Sequence, residues 1–277
     1  MAAWNIYRAR EAERRHPPSG RFMSVEGVRL HYLERGEGRP VVLLHGNGVT
    51  GEDFELSRVL GLAAQSHRVI AFDRPGFGYS GRPRGTVWNA ARQARLLRQA
   101  LAAIALEPAV VIGHSWGTLV ASALALDYPE AVRSLILLSG YYYPTLRADV
   151  ALFSPPAIPV IGDFLRYTVV PPLTAAMLPA MVKRSFAPLP VPDRFAKGFP
   201  AGLALRPSQR SLDRLDLDES GEDRANRLGL RRIGNQLAVD CIEAKRNGSS
   251  HPHALYLRGR DLVPDPLGAD LALELGE

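Results

Sequence analysis

Pro108-Ala109-Val110-Val111-Ile112-Gly113-His114-Ser115-Trp116-Gly117 decides the fold. The stretch opens as a short apolar run with no polar face, the signature of a strand covered on both sides. From Trp116 to Leu126 the apolar residues recur at helical spacing. Between strand and helix stands Gly-x-Ser-x-Gly. A serine on so sharp a turn is crowded by its neighbours, and glycine two residues before and after it avoids the clashes that a Cβ would make. Such a turn lifts the hydroxyl clear of the sheet, which makes Ser115 the candidate nucleophile.

The pattern is short, so its context carries the reading. Upstream, Arg39-Pro40 leads into Val41-Val42-Leu43-Leu44, again a continuous apolar run, and His45-Gly46-Asn47-Gly48 follows directly. Farther on, His67-Arg68-Val69-Ile70-Ala71-Phe72 runs into a turn dense in Gly and Pro, Asp73-Arg74-Pro75-Gly76-Phe77-Gly78-Tyr79-Ser80.

In this order the motifs, spread over residues 21–140, resemble the α/β-hydrolase superfamily, in which H-G-x-x, D-x-x-G-x-G-x-S and G-x-S-x-G sit on successive central strands. The resemblance implies a mostly parallel central sheet with helices on both faces and an inserted helical lid. It implies an oxyanion hole built from the backbone amides of Asn47 and Trp116. It also implies that Asp73 is structural, bound to its own loop, and not catalytic. Hydrolysis of a carboxylic ester or related acyl substrate through an acyl-enzyme at Ser115 is the expected chemistry. Asn47 and Trp116 occupy places that hold halide in haloalkane dehalogenases, but those relatives have aspartate as nucleophile. Serine therefore disfavours dehalogenase and epoxide hydrolase chemistry, while peptidase and carbon–carbon bond hydrolase chemistry stay open.

Residues 1–20 read as an N-terminal extension, 21–140 as the first part of the core, 141–209 as the lid and 210–277 as the rest of the core. A hairpin is expected from Arg21 to Glu34 about Gly27, and a crossover helix from Val87 to Leu106 with Arg92, Arg95 and Arg98 on its outer side. Ser134-Leu135-Ile136-Leu137-Leu138 is the next strand, after which prolines accumulate. From Tyr141 to about Gln209 the chain is rich in Pro, Tyr, Phe, Met and Leu, which suggests broken helices over an apolar pocket.

Ala254 to Gly259 is the expected strand before the acid loop, and Asp261 in Arg260-Asp261-Leu262-Val263-Pro264 is the candidate catalytic acid, with spacing shifted by one residue from the family's loop. The general base of this family follows the acid, yet no histidine occurs after His253, so the last strand, its histidine loop and the final helix have no counterpart. Three readings follow. The C-terminus is truncated or frame-shifted, as the changed composition after Ser208 suggests. Alternatively His45, His114, His251 or His253 supplies the base; against this, His251 and His253 precede their strand and are expected at the end of the sheet away from Ser115. Or the chain is a non-catalytic relative that binds an apolar ligand or protein partner.

Composition suits a globular enzyme: 277 residues, 46% hydrophobic. The net charge of +6 comes from arginine, with lysine only at positions 183, 197 and 245, and the arginines are dispersed among acids. No nucleic-acid partner is expected from such a pattern. Cys241 is alone, which excludes an internal disulfide and suits a reducing compartment. Residues 1–15 lack the apolar core of a signal peptide. Tyr167 to Val182, broken by Pro171, Pro172 and Pro179, is short of the ~20 residues a membrane span needs. A cytoplasmic location is the expectation; peripheral contact with a membrane and the oligomeric state stay open. No cofactor is needed for this chemistry, and the histidines lack metal-ligand spacing.

Overall fold

The computed structural model describes residues 2–83, 86–106, 108–140, 161–206 and 254–258. In chain order these form α1 (Ala2–Arg15), β1 (Arg21–Val25), β2 (Val28–Arg35), β3 (Arg39–Leu44), α2 (Asp53–Leu56), α3 (Val59–Ala63), β4 (His67–Phe72), α4 (Ala90–Ala103), β5 (Ala109–His114), α5 (Gly117–Asp127) and β6 (Val132–Leu138). Then come α6 (Ile161–Thr168), α7 (Val170–Phe186), α8 (Asp193–Gly198), α9 (Ala201–Ala204) and β7 (Ala254–Arg258).

The strands make one seven-stranded sheet in the order β1-β2-β4-β3-β5-β6-β7. β4, β3, β5 and β6 run parallel, which accounts for their continuous apolar runs: both faces are covered. Because successive side chains alternate across a strand, Val42, Leu44, Ile70, Phe72 and Val111 pack with α4 and α5 on one face. Val41, Leu43, Val69 and Ala71 pack with Phe54 of α2 and Leu60 of α3 on the other. The hairpin forms as expected, with Glu26 and Gly27 both at positive φ in its turn.

At the far edge the direction differs from expectation. β7 runs antiparallel to β6, with Ala254 opposite Leu138 and Arg258 opposite Ser134. An antiparallel edge strand satisfies the outer backbone groups of β6 as well as a parallel one, and nothing in an apolar pentapeptide encodes its direction. It is therefore the start of β7, not its end, that lies beside Leu138, whose carbonyl accepts the Ser115 N–H at 2.9 Å. Asp261, His251 and His253 lie outside the described residues.

The crossover helix α4 begins one residue after Asn89, whose side-chain oxygen accepts the Arg92 N–H at 2.9 Å. Asn89→Ala removes this N-cap and is expected to lower stability by about 1 kcal/mol. Denaturant unfolding at constant m-value tests it, and an unchanged midpoint refutes the cap.

Helix α1 had no counterpart in the sequence reading, although its Ala, Arg and Glu content favours a helix and Glu11 receives hydrogen bonds from Arg14 and Arg15 one turn on. It is held by α6: Asn5 Nδ2 donates to the carbonyls of Tyr167 (2.9 Å) and Thr168 (3.2 Å). The buried Arg206 closes the same contact, donating to Glu13 Oε1 at 2.8 Å, to Leu203 O and to Gly78 O, with its guanidinium over the Tyr79 ring. Arg206 thus ties α1, α9 and the loop after β4. Its replacement by alanine is expected to cost about 2 kcal/mol, because it leaves the Gly78 carbonyl and the Glu13 carboxylate without their donor. A thermal midpoint equal to wild type would refute this.

Candidate active site

β3 and β5 are parallel neighbours with Leu44 opposite Gly113, so the turns that leave them emerge side by side. One is His45-Gly46-Asn47; the other is His114-Ser115-Trp116. Ser115 has φ 51, a left-handed conformation forced by the step from strand to helix. A Cβ on Gly117 would lie 2.2 Å from Leu44 O, and one on Gly113 would lie 2.7 Å from Gly117 O, so both positions exclude a side chain. The Gly46 backbone packs against the serine itself: a Cβ there would lie 2.9 Å from Ser115 Cβ and 3.3 Å from Oγ.

Ser115 is half-buried, and its carbonyl accepts Thr118 Oγ1–H at 2.6 Å, which fixes the start of α5. Among the described residues, no side chain hydrogen-bonds to Ser115 Oγ, and neither the Asn47 nor the Trp116 backbone N–H has an acceptor. The geometry is thus a hydroxyl beside turns that carry unspent amide donors, the arrangement needed to hold a negative oxygen.

Two histidines near this region, His45 and His31, are committed elsewhere. His45 Nε2 accepts the Arg74 backbone N–H at 3.0 Å, so its proton sits on Nδ1 and is donated to Gly46 O at 2.7 Å. Complete burial, aided by the Arg74 charge, lowers its pKa to about 3. His31 Nδ1 donates to Asp73 Oδ2 at 2.7 Å while Nε2 accepts the Gly20 N–H at 3.1 Å. His114 is half-buried and burial lowers its pKa, opposed by the Asp53 carboxylate on α2.

Asp73 is fully engaged as a structural group. It accepts the Gly51 N–H (2.8 Å), the Tyr79 N–H (2.9 Å) and His31 Nδ1–H, which pins the oxyanion-side loop, the loop after β4 and the hairpin to one carboxylate. Burial would raise its pKa, but the hydrogen bonds it accepts from His31 and from the Tyr79 backbone outweigh this and hold it below the usual carboxylate range.

Arg74 is the functional-region residue that sequence reasoning passed over. It is 1% exposed, and it donates from Nε to His45 O (2.8 Å), from Nη2 to Gly46 O (3.0 Å) and to Asn47 Oδ1 (2.8 Å), and from Nη1 to Gln93 Oε1 (3.3 Å). An arginine after Asp73 gives no local signal of burial; its partners lie on another turn and another helix. Beyond the Asn47 turn, Phe199, Pro200 and Leu203 meet Gly48, Val49 and Leu56 around a small, mainly apolar cavity of about 10 Å³. Phe186 meets Phe195 edge to face and Phe195 stacks on Phe199, with centroids 4.9 and 5.0 Å apart. No described helix is long and apolar enough to cross a membrane.

Comparison with known proteins places these features. A family profile described as alpha/beta hydrolase fold matches residues 39–177. The chain is 35% identical over 129 residues to a 2-hydroxymuconate semialdehyde hydrolase of Pseudomonas putida, covering 47% of this chain and 46% of that protein, so it spans about half the length of that relative. It is 24% identical over 221 residues to haloalkane dehalogenase 2 of Mycobacterium tuberculosis, covering 70% of this chain and 77% of the relative. An alpha/beta hydrolase fold protein from Burkholderia ambifaria superposes with a TM-score of 0.57 over 74% of both chains at 24% identity.

Proposed function

Since this chain belongs to the alpha/beta hydrolase fold family, we propose that it is a serine hydrolase in which Ser115 attacks the carbonyl carbon of an ester or related acyl substrate. The observation that carries the reading is Ser115 at φ 51 between β5 and α5, beside two backbone amides without acceptors among the described residues.

In the proposed reaction, Ser115 Oγ forms a bond to the carbonyl carbon and gives up its proton to a base. The carbonyl oxygen becomes an oxyanion, which the N–H groups of Asn47 and Trp116 receive. Collapse expels the alcohol or other leaving group, which takes a proton, and leaves an acyl-enzyme at Ser115. Water then attacks the same carbon and releases the acid. The reading assigns nucleophile and oxyanion donors. It leaves the base to residues beyond the described ones, and Asp261 enters as the orienting acid only through the sequence resemblance.

A hydroxyl nucleophile suits attack at a carbonyl, which favours acyl or carbon–carbon bond hydrolysis over the dehalogenation named for one relative. The Pro, Tyr, Phe, Met and Leu content of residues 141–209 favours an apolar acyl portion. The test is a fluorophosphonate probe applied to purified protein, with the modified peptide located by mass spectrometry. Modification at Ser115 is the expected result; a folded protein that stays unmodified at Ser115 while short-chain p-nitrophenyl esters remain untouched refutes the assignment.

A further inference from the structure

We propose that Arg74 is the positioning residue of the oxyanion hole, fixing and polarising the peptide that carries the Asn47 donor; this rests on the assignment of Ser115 and the two amides above. The Gly46 carbonyl and the Asn47 N–H belong to one trans peptide plane and point in opposite directions. Whatever holds the carbonyl therefore aims the N–H. Gly46 O is held twice, by Arg74 Nη2 at 3.0 Å and by His45 Nδ1–H at 2.7 Å.

The hold is electronic as well as geometric. A hydrogen bond from a cation draws density toward the carbonyl oxygen, and through amide resonance this makes the N–H of the same peptide a stronger donor. The Arg74–Gly46 hydrogen bond is itself buried, so that effect is little screened by water. The guanidinium also reaches the other donor residue: it lies 4.5 Å from the Trp116 ring and 4.5 Å from the Phe77 ring, clamped between the two. Its Nη2 hydrogen bond to Asn47 Oδ1 keeps the Asn47 side chain on the Arg74 side. One side chain thus joins the loop after β4 to both turns that flank Ser115. A lysine, with a single ammonium and no planar fork, cannot reproduce contacts to His45 O, Gly46 O and Asn47 Oδ1 in this geometry.

The test uses full-length wild type, Arg74→Lys, Arg74→Met and Ser115→Ala, each shown to be folded by near-ultraviolet circular dichroism. Arg74→Met strands buried carbonyls and is the variant that can fail to fold; Arg74→Lys keeps a cation and serves if it does. Two readouts are taken. The first is fluorophosphonate modification of Ser115, resolved into the saturating rate and the half-saturating concentration. The second is the Asn47 amide resonance in selectively 15N-asparagine-labelled protein, assigned by its absence from an Asn47→Asp sample.

The expected result is a saturating rate lower by about 10- to 100-fold, short of the 10²–10³ lost with a whole oxyanion donor, at an unchanged half-saturating concentration. With it, the Asn47 amide proton should move upfield in the Arg74 variants. Wild-type rates in folded variants overturn the inference alone, as does a slower rate with an unmoved Asn47 resonance, which would make Arg74 a scaffold. A wild-type Ser115 that takes no probe overturns the nucleophile assignment and with it the catalytic use of Arg74, even where the Asn47 resonance responds.

Discussion

Ser115→Ala is expected to lower ester hydrolysis and fluorophosphonate capture by at least about 10³-fold while shifting stability by less than about 1 kcal/mol. The first half follows from the chemistry: without Oγ no acyl-enzyme forms, and only binding and the amide donors act on the substrate. The second half follows from the structure. Ser115 Oγ makes no hydrogen bond to a described side chain, so its removal strands no partner, and alanine meets the same left-handed strain at φ 51 that serine already bears. Ser115→Gly provides the complement, since glycine adopts this conformation freely; it should be inactive and slightly more stable than wild type. Parallel rate and unfolding measurements decide the matter. Hydrolysis that persists in both variants would move the nucleophile elsewhere, and a large loss of stability in Ser115→Ala would show that the hydroxyl is structural.

The second large effect is on acid stability, through His45. Folded His45 remains neutral down to about pH 3, whereas in the unfolded chain its pKa returns to the ordinary histidine value of 6.5. Between these values the unfolded state binds one more proton, so the His45 contribution is fully present above pH 6.5 and is lost as pH falls toward 3. At about 1.4 kcal/mol per pH unit, the window is worth about 3–5 kcal/mol. Other groups act in the same range: burial lowers the pKa of His114 and raises those of Glu52 and Asp53, with opposite effects on the slope. Comparison with His45→Gln removes these common terms. Guanidinium unfolding at pH 7, 6, 5 and 4 should show the wild type losing stability more steeply than the variant, by close to one proton. Parallel pH dependences for the two proteins would mean that His45 is not held neutral by the fold.

How much of this was legible in the sequence depends on how local each determinant is. The parallel strands β3, β4 and β5 announced themselves as unbroken apolar runs because being covered on both faces leaves no place for alternation. The turn about Ser115 was legible because crowding on a strand-to-helix step leaves glycine as the residue that fits at positions 113 and 117. The hairpin is likewise a short-range device, whereas the crossover helix, expected from Val87, starts at Ala90 behind the Asn89 cap. Helix α1 went unassigned because its role is tertiary: few of its side chains are buried, and its anchors, Asn5 and Glu13, bond to Tyr167, Thr168 and Arg206, more than 160 residues away.

The sequence by itself determined the family, the strand-turn-helix that raises Ser115, and the identity of the peptides beside it, since all of these are written in consecutive residues whose backbone demands few alternatives satisfy. Only the tertiary structure decided the antiparallel direction of β7, the pairing of His31 with Asp73, and the burial of Arg74 beneath Gly46 and Asn47. Those outcomes depend on which strands become neighbours, and in a buried site the cost of an unpaired polar group falls on partners far apart in the chain. Local preference cannot encode such a pairing; closure of the sheet can.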